Sequence, residues 1–405
     1  MDTIISLLGI CVFLLIGYTC SSNKASINFR TVFGAFLIQV LIGAITLYST
    51  IGISVLNYLS NGISSILDNA QNGIEFVFGG VGAFELGFIF AFHVLPIIVF
   101  FSSLVSILYH IGIMGWLVKI IGGVIQKFLN TTKAESMAAA ANIFVGQTEA
   151  PLIVRPYIPS MSHSEIFAVM VGGLSTVAGS VLVGYSLLGV DINYLLAASF
   201  MAAPGGLLMA KLLVPARAIP DEQERDFKIE IEKHTNVIEA AAVGASRGMN
   251  LALNVGAIVL AFVGLIALMN SLLSTLGNSF GLENLSLDLI LGYFFQPVAF
   301  ILGIPWSETQ LAGNFIGQKL VFNELIAYAA FTEHIENFSD RSQAIITFAL
   351  CGFANFSSIG ILFGGLGGIA PERKSEIAKL GLKAVFAGFL ANLMSAAIAG
   401  FYLSF

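Results

Sequence analysis

The chain has 405 residues, 57% of them hydrophobic and only 10% charged, where soluble domains carry about a quarter charged residues, so a water-soluble globule is excluded. A net charge of −6 leaves no basic surface for counter-ion release, which excludes nucleic acid as a partner. The three cysteines, Cys11, Cys20 and Cys351, show neither metal-ligand spacing nor a paired framework and read as small buried apolar residues.

About 20 apolar residues cross the hydrocarbon core. Eight such stretches occur, at 3–19, 31–56, 84–109, 163–189, 194–214, 251–276, 342–365 and 376–403. No Lys or Arg precedes the first, and Gly17-Tyr18-Thr19-Cys20 lacks the small residues of a cleavage site, so it is read as a retained span. Segments 60–76, 112–129 and 287–304 are amphipathic enough to lie along an interface. Segments 133–158 and 306–331 are interrupted near the middle by polar residues and are expected to be re-entrant hairpins. The long polar stretch 217–247 reads as a cytoplasmic loop with an interfacial helix. All eighteen basic residues except Lys319 and Arg341 fall on one side of this map. Positive charge marks the cytoplasmic side, so both termini are expected to face the periplasm or exterior of an inner membrane.

On either side of the polar midpoint the same plan recurs: a span, an interfacial helix, an interrupted hairpin, then a span broken by small and polar residues. The copies, 84–189 and 251–365, have opposite topology. The expected organisation is a scaffold of spans and an interfacial helix (1–82), a first inverted repeat (83–214), the loop (215–250), a second repeat (251–372) and a last span (373–405). The fold class is an all-α integral membrane protein with eight transmembrane helices, two re-entrant helical hairpins and interfacial helices. Inverted repeats with paired discontinuous helices point to a secondary transporter that holds its substrate near the midplane. Enzymatic chemistry is not expected, because no nucleophile and base stand at recognisable spacing.

Polar groups at mid-membrane are costly and need a reason. In the first hairpin Gly146 permits a tight turn, Gln147, Thr148 and Glu149 gather at its tip, and Pro151 opens the returning helix. The free backbone donors of that helix are expected to face a ligand, with Glu149 partly capping them or pairing with Arg155. The second hairpin carries Asn314, Gln318 and Asn323-Glu324, and its partner span breaks at Cys351-Gly-Phe-Ala-Asn-Phe-Ser-Ser-Ile-Gly360. The matching break in the first copy is 172–180. Carboxylates that accept from vicinal hydroxyls, with Phe353 to stack on a planar ring, suit a polar, hydroxyl-bearing, partly aromatic solute. Among five histidines none forms a metal-binding pair, and His93 is read as a proton carrier or a hydrogen-bonded packing residue. Gly244-Ala-Ser-Arg-Gly248 matches a nucleophile-elbow pattern but sits in the loop with no strand before it. Gly360-Ile-Leu-Phe-Gly364 fits small-residue helix packing.

Gly146-Gln-Thr-Glu-Ala-Pro-Leu, Asn323-Glu324 and Gly352-Phe-Ala-Asn-Phe-Ser-Ser358, together with Glu75-Phe-Val-Phe-Gly-Gly80, resemble the concentrative nucleoside transporters over nearly the whole chain. The resemblance implies a homotrimer of eight-span protomers in membrane lipid, each with a scaffold part and a mobile part containing both hairpins. It implies that Gln147, Thr148 and Glu149 address the nucleobase, that Val181 and Phe353 pack on it, and that Glu324, Asn355 and Ser358 hold the ribose. Sodium, the implied coupling ion, would be held by the Asn142 side chain, the Val145 carbonyl, the Thr176 hydroxyl and the Val177 carbonyl; no other cofactor is implied. A rival reading keeps the architecture and couples to protons, with Glu149, Glu324 or His93 as carrier. Another keeps only a passive channel or receptor.

Overall fold

The computed structural model describes residues 2–216, 234–282 and 284–405, and among these the regular structure is entirely helical. In chain order the helices are α1 (Asp2–Thr19), α2 (Phe29–Leu47), α3 (Thr50–Phe78), α4 (Phe90–His93), α5 (Leu95–His110), α6 (Ile113–Leu129), α7 (Lys133–Ala141), α8 (Ala150–Ile153), α9 (His163–Ser175), α10 (Gly179–Leu187), α11 (Ile192–Leu213), α12 (Val237–Ser279), α13 (Leu287–Ile301), α14 (Trp306–Val321), α15 (Glu324–Thr332), α16 (Asp340–Leu350), α17 (Ser357–Ile369) and α18 (Lys374–Tyr402). Helices α2, α11, α12 and α18 and the paired runs α4–α5 and α9–α10 are long and apolar enough to cross a membrane; α1 and α17 are shorter apolar helices. The segment expected as the seventh span is divided between α16 and α17. The chain is a multi-pass membrane protein.

Two expected boundaries move for local reasons. The second span stops at Leu47, because Ser49 caps a new helix by accepting from the Gly52 N–H at 3.4 Å. That corner is tight: a Cβ on Gly52 would lie 1.8 Å from the Ile45 carbonyl oxygen. The sixth span is the C-terminal part of α12, 43 residues long, whose start is capped by Asn236 accepting from Glu239 N–H at 2.9 Å. Residues 217–233 of the expected loop lie outside the described residues. Gly244-Ala-Ser-Arg-Gly248 accordingly lies on a helix and forms a packing seam. A Cβ on Gly244 would meet Ser106 Cβ at 2.5 Å, and one on Gly248 would meet Val99 Cα at 2.7 Å. Ser103 and Ser106 complete the α5–α12 contact by donating to the Ala241 and Ala240 carbonyls at 2.9 and 2.7 Å. Among the described residues the seam expected at Gly360 and Gly364 is not made, since nothing there lies within 4 Å of a Cβ placed at either glycine.

The succession α5, α6, α7–α8, α9–α10 returns as α12, α13, α14–α15, α16–α17, and α18 packs on α9, α16 and α17. Helix α13 folds back on α14, the pair bent by 116°. Glycine makes that contact close: a Cβ on Gly313 would lie 2.7 Å from the Gly292 carbonyl oxygen. The two basic residues on the sparse side are not loop charges. Lys319 is fully buried in α14, and Arg341 donates to the Gly303 and Gly400 carbonyls and to Ser6 Oγ. Cys351 is buried as expected, whereas Cys11 and Cys20 are exposed on the protein surface.

Candidate substrate and ion site

Four irregular turns meet at one place. Helix α9 stops before α10, and α16 before α17; the two breaks touch where the Phe353 N–H donates to the Thr176 carbonyl at 3.1 Å. Each hairpin tip is bound to the break of its own repeat. Gly179 N–H donates to Phe144 O at 3.1 Å, and Phe356 N–H to Leu320 O at 3.1 Å. The unwound backbone thus satisfies itself, the condition for irregular structure at membrane depth. A Cβ on Gly173 would meet Gln147 Cβ at 2.8 Å, so glycine there lets α9 approach the tip.

Asn323 caps α15, its Oδ1 accepting from Ile326 N–H at 2.9 Å, and so sets Glu324 at the helix start. The Glu324 carboxylate is buried and accepts from Tyr185 OH at 2.8 Å and from Asn355 Nδ2 at 3.0 Å. Asn355 cannot turn over, because its Oδ1 holds the Ser358 N–H at 2.9 Å and the Ser357 hydroxyl at 2.7 Å. An ionised carboxylate offers about four lone-pair sites. Two accept from these protein side chains, and two do not. Across the junction Gln147 Nε2 reaches Ser358 Oγ at 3.4 Å, while its Oε1 is buried without a partner. Val181 is buried on the face of α10 that carries Tyr185, and Phe353 is half-buried in the second break.

Thr148 and Glu149 are exposed, unlike Gln147. Thr148 turns toward α17, where a Cβ on Gly365 would lie 3.0 Å from its Cγ2. Glu149 Oε2 accepts the Gly146 N–H at 3.1 Å, which closes the hairpin tip. Its side chain also lines a cavity of about 110 Å³ with Ser102, Tyr109, Ser180 and Arg247, and there the Tyr109 hydroxyl is buried without a partner. Among the described residues that line the cavity are Glu149 and Val145 but not Glu324, whose carboxylate is held by Tyr185 and Asn355. The expected helix does start behind Glu149, with Pro151 in its first turn, but it is short. Helix α8 has four residues and passes into a 3₁₀ turn, Arg155–Ser160, since prolines 156 and 159 supply no amide hydrogen for a longer α-helix.

Asn142 ends α7 and is fully buried; its Nδ2 donates to Ala138 O at 2.9 Å, leaving Oδ1 buried and unpartnered. The Thr176 hydroxyl donates to Gly172 O at 2.9 Å, which leaves lone pairs on its oxygen, and Val145 and Val177 are buried in the same turns. Neutral oxygens of this kind suit a hard cation, and an orphaned buried oxygen is what such an ion would satisfy. Among the described residues no group of three or more His, Cys, Asp or Glu side chains could hold a metal ion.

Other polar residues have different work. Gln318 donates to Asp288 Oδ1 at 2.8 Å and to Asn314 Oδ1 at 3.3 Å, and Asn270 donates to Asp288 Oδ2 at 3.2 Å, so this set fastens α14 to α12 and α13. His93 Nδ1 accepts the Ile89 N–H at 2.8 Å, and its ring stacks on Phe84 with centroids 3.7 Å apart, a packing role. Tyr185 was not anticipated; its only trace in sequence is the four-residue spacing from Val181. A hydrogen bond to a charged group contributes about 1.5 to 3 kcal/mol, so Tyr185→Phe is expected to lower uptake efficiency about tenfold to hundredfold. Initial rates in proteoliposomes would measure this, and an unchanged rate would remove Tyr185 from the site.

Residues 194–400 match the family model described as Na+ dependent nucleoside transporter C-terminus, residues 8–81 match its N-terminus, and residues 91–190 match a model described as nucleoside recognition. The nucleoside permease NupC of Helicobacter pylori is 49% identical over 99% of this chain and 98% of its own. Sodium/nucleoside cotransporter 1 of Homo sapiens is 37% identical over 98% of this chain and 64% of its own length. Among solved structures, CNTnw in an inward-facing substrate-bound state has a TM-score of 0.94 at 53% identity, covering 100% of this chain and 98% of that one.

Proposed function

We propose that this chain, which belongs to the Na+ dependent nucleoside transporter family, imports nucleosides by sodium symport, with a single midplane site exposed alternately to the two sides. The observation that carries the reading is the buried Glu324 carboxylate, with Tyr185 and Asn355 on two of its acceptor sites and two left over. A vicinal diol fits that remainder. Gln147, Thr148 and Glu149 would address the base, with Val181 and Phe353 packing on it, and Glu324, Asn355 and Ser358 would hold the ribose. Sodium would bind Asn142, Val145, Thr176 and Val177; the unpartnered Asn142 oxygen supports this assignment, as does the name of the human relative. The proton alternative is weakened at His93, whose Nδ1 is occupied as an acceptor.

The basic residues near α6, α7 and the start of α18 favour both termini outside the cell, with the cavity beside Glu149 opening toward the cytoplasm. A part containing both hairpins would move, 1–82 would belong to the scaffold, and the assembly would be a homotrimer.

The test is uptake of labelled uridine and adenosine into proteoliposomes, with an inward sodium gradient and a separately set membrane potential. Accumulation above equilibrium that requires sodium supports the reading. Accumulation driven only by protons moves the coupling site, and accumulation under neither gradient overturns the substrate assignment.

A further inference from the structure

Lys319 is fully buried in α14. Its ammonium donates to the Ala349 carbonyl at 2.8 Å and to Asn392 Oδ1 at 2.6 Å, and lies 5.4 Å from the Phe389 ring centroid. Asn392, on α18, passes the connection on. Its Nδ2 donates to Ser175 O at 2.7 Å and to Cys351 O at 2.8 Å. Ser175 is the last residue of α9, and Cys351 is the residue that ends α16. Both are C-terminal helix ends, where carbonyls lack intrahelical partners and the macrodipole is negative. One amide therefore bridges the two breaks, and one cation anchors the amide.

The backbone is shaped to admit that bridge. A Cβ on Gly352 would lie 2.3 Å from Asn392 Oδ1, so the glycine that opens Gly352-Phe-Ala-Asn has a steric reason to be there. One turn earlier on α18, a Cβ on Gly388 would lie 2.9 Å from Leu174 Cβ and 3.2 Å from Ala354 Cβ, so α18 runs close against both breaks.

We propose that Asn392, anchored by Lys319, is a positioning residue that clamps the two helix breaks together, so that the substrate and ion shells are held as one unit. This rests on the site reading above, in which one break carries Thr176 and Val177 and the other Phe353, Asn355 and Ser358. A clamp shared by both shells must move both affinities when it is loosened. A residue that only stabilises the fold lowers the amount of active protein and leaves the affinities unchanged.

Asn392→Asp separates these cases. The carboxylate keeps an acceptor for Lys319 but has no N–H for either carbonyl. In proteoliposomes, the nucleoside KM at saturating sodium and the half-saturating sodium concentration are both expected to rise at least about tenfold, with the maximal rate of the folded protein within about threefold of wild type. Both constants at wild-type values, or a change in only one, would overturn the clamp. If Asn392→Asp is not recovered folded, Gly352→Ala displaces the amide without removing it and is read by the same two constants. If wild-type protein proves to be driven by another ion, the functional reading fails separately, and the clamp is judged on the two constants measured with that ion.

Discussion

Glu324→Gln is expected to lower the efficiency of nucleoside uptake by at least about a hundredfold while leaving expression and folding intact. The substitution keeps the shape of the side chain but replaces one acceptor oxygen with a donor. Tyr185 OH and Asn355 Nδ2 already donate to the two carboxylate oxygens, so one of them would face an NH₂ group. The two acceptor sites proposed to take ribose hydroxyls also lose their charge. Each charge-assisted bond contributes about 1.5 to 3 kcal/mol, and every 1.4 kcal/mol is tenfold, so losing two costs about two to four decades. Discrimination between uridine and its deoxy analogues should shrink in the same variant, because the lost interaction is specific to hydroxyls. Near-normal uptake with intact ribose discrimination would remove Glu324 from the ribose site.

Residues of the proposed site are legible in sequence where lipid makes polarity conspicuous. Asn142, Gln147, Glu324, Asn355 and Ser358 stand out because each interrupts an apolar run, and the broken stretches 172–180 and 351–360 are rich in glycine and hydroxyls. What a linear reading does not show is which polar group satisfies which. Tyr185 looks like an ordinary aromatic in a span, and only the fold brings it to Glu324. Sequence places Lys319 only on the sparse side of the charge map, because a lysine three residues before Phe322 at a hairpin tip gives no sign of reaching α16 and α18. Polarity also marks Asn314 and Gln318, yet Gln318 donates to Asp288 and to Asn314 and so links helices. Helix ends were misjudged where apolarity continues across a cap, as at Ser49, and α12 was split because its polar first half reads like a loop. Thr148 and Glu149 were grouped with Gln147 by sequence, but the short α8 leaves them exposed while Gln147 is buried.

Asn142→Ala combined with Thr176→Ala is expected to raise the half-saturating sodium concentration at least about tenfold and to reduce accumulation toward equilibrium at ordinary sodium levels. The reasoning starts from the driving force. One charge moving down 100 mV releases about 2.3 kcal/mol, and a tenfold sodium gradient adds about 1.4. Together these support several-hundred-fold accumulation, provided that sodium occupancy and nucleoside occupancy are tied. The double variant removes the two side-chain oxygens of the proposed ion shell, including the buried Asn142 Oδ1, which has no partner among the described residues. Alanine at 176 leaves the backbone carbonyl that accepts Phe353 N–H, so the junction of the two breaks is retained. The nucleoside shell is then present but no longer supported by a bound ion, and the nucleoside KM should fall only when sodium is raised well above the wild-type requirement. Measuring uridine uptake across a sodium series at fixed membrane potential gives both constants. An unchanged sodium curve in the double variant would put the cation elsewhere, and the unpartnered Asn142 oxygen would then need another explanation.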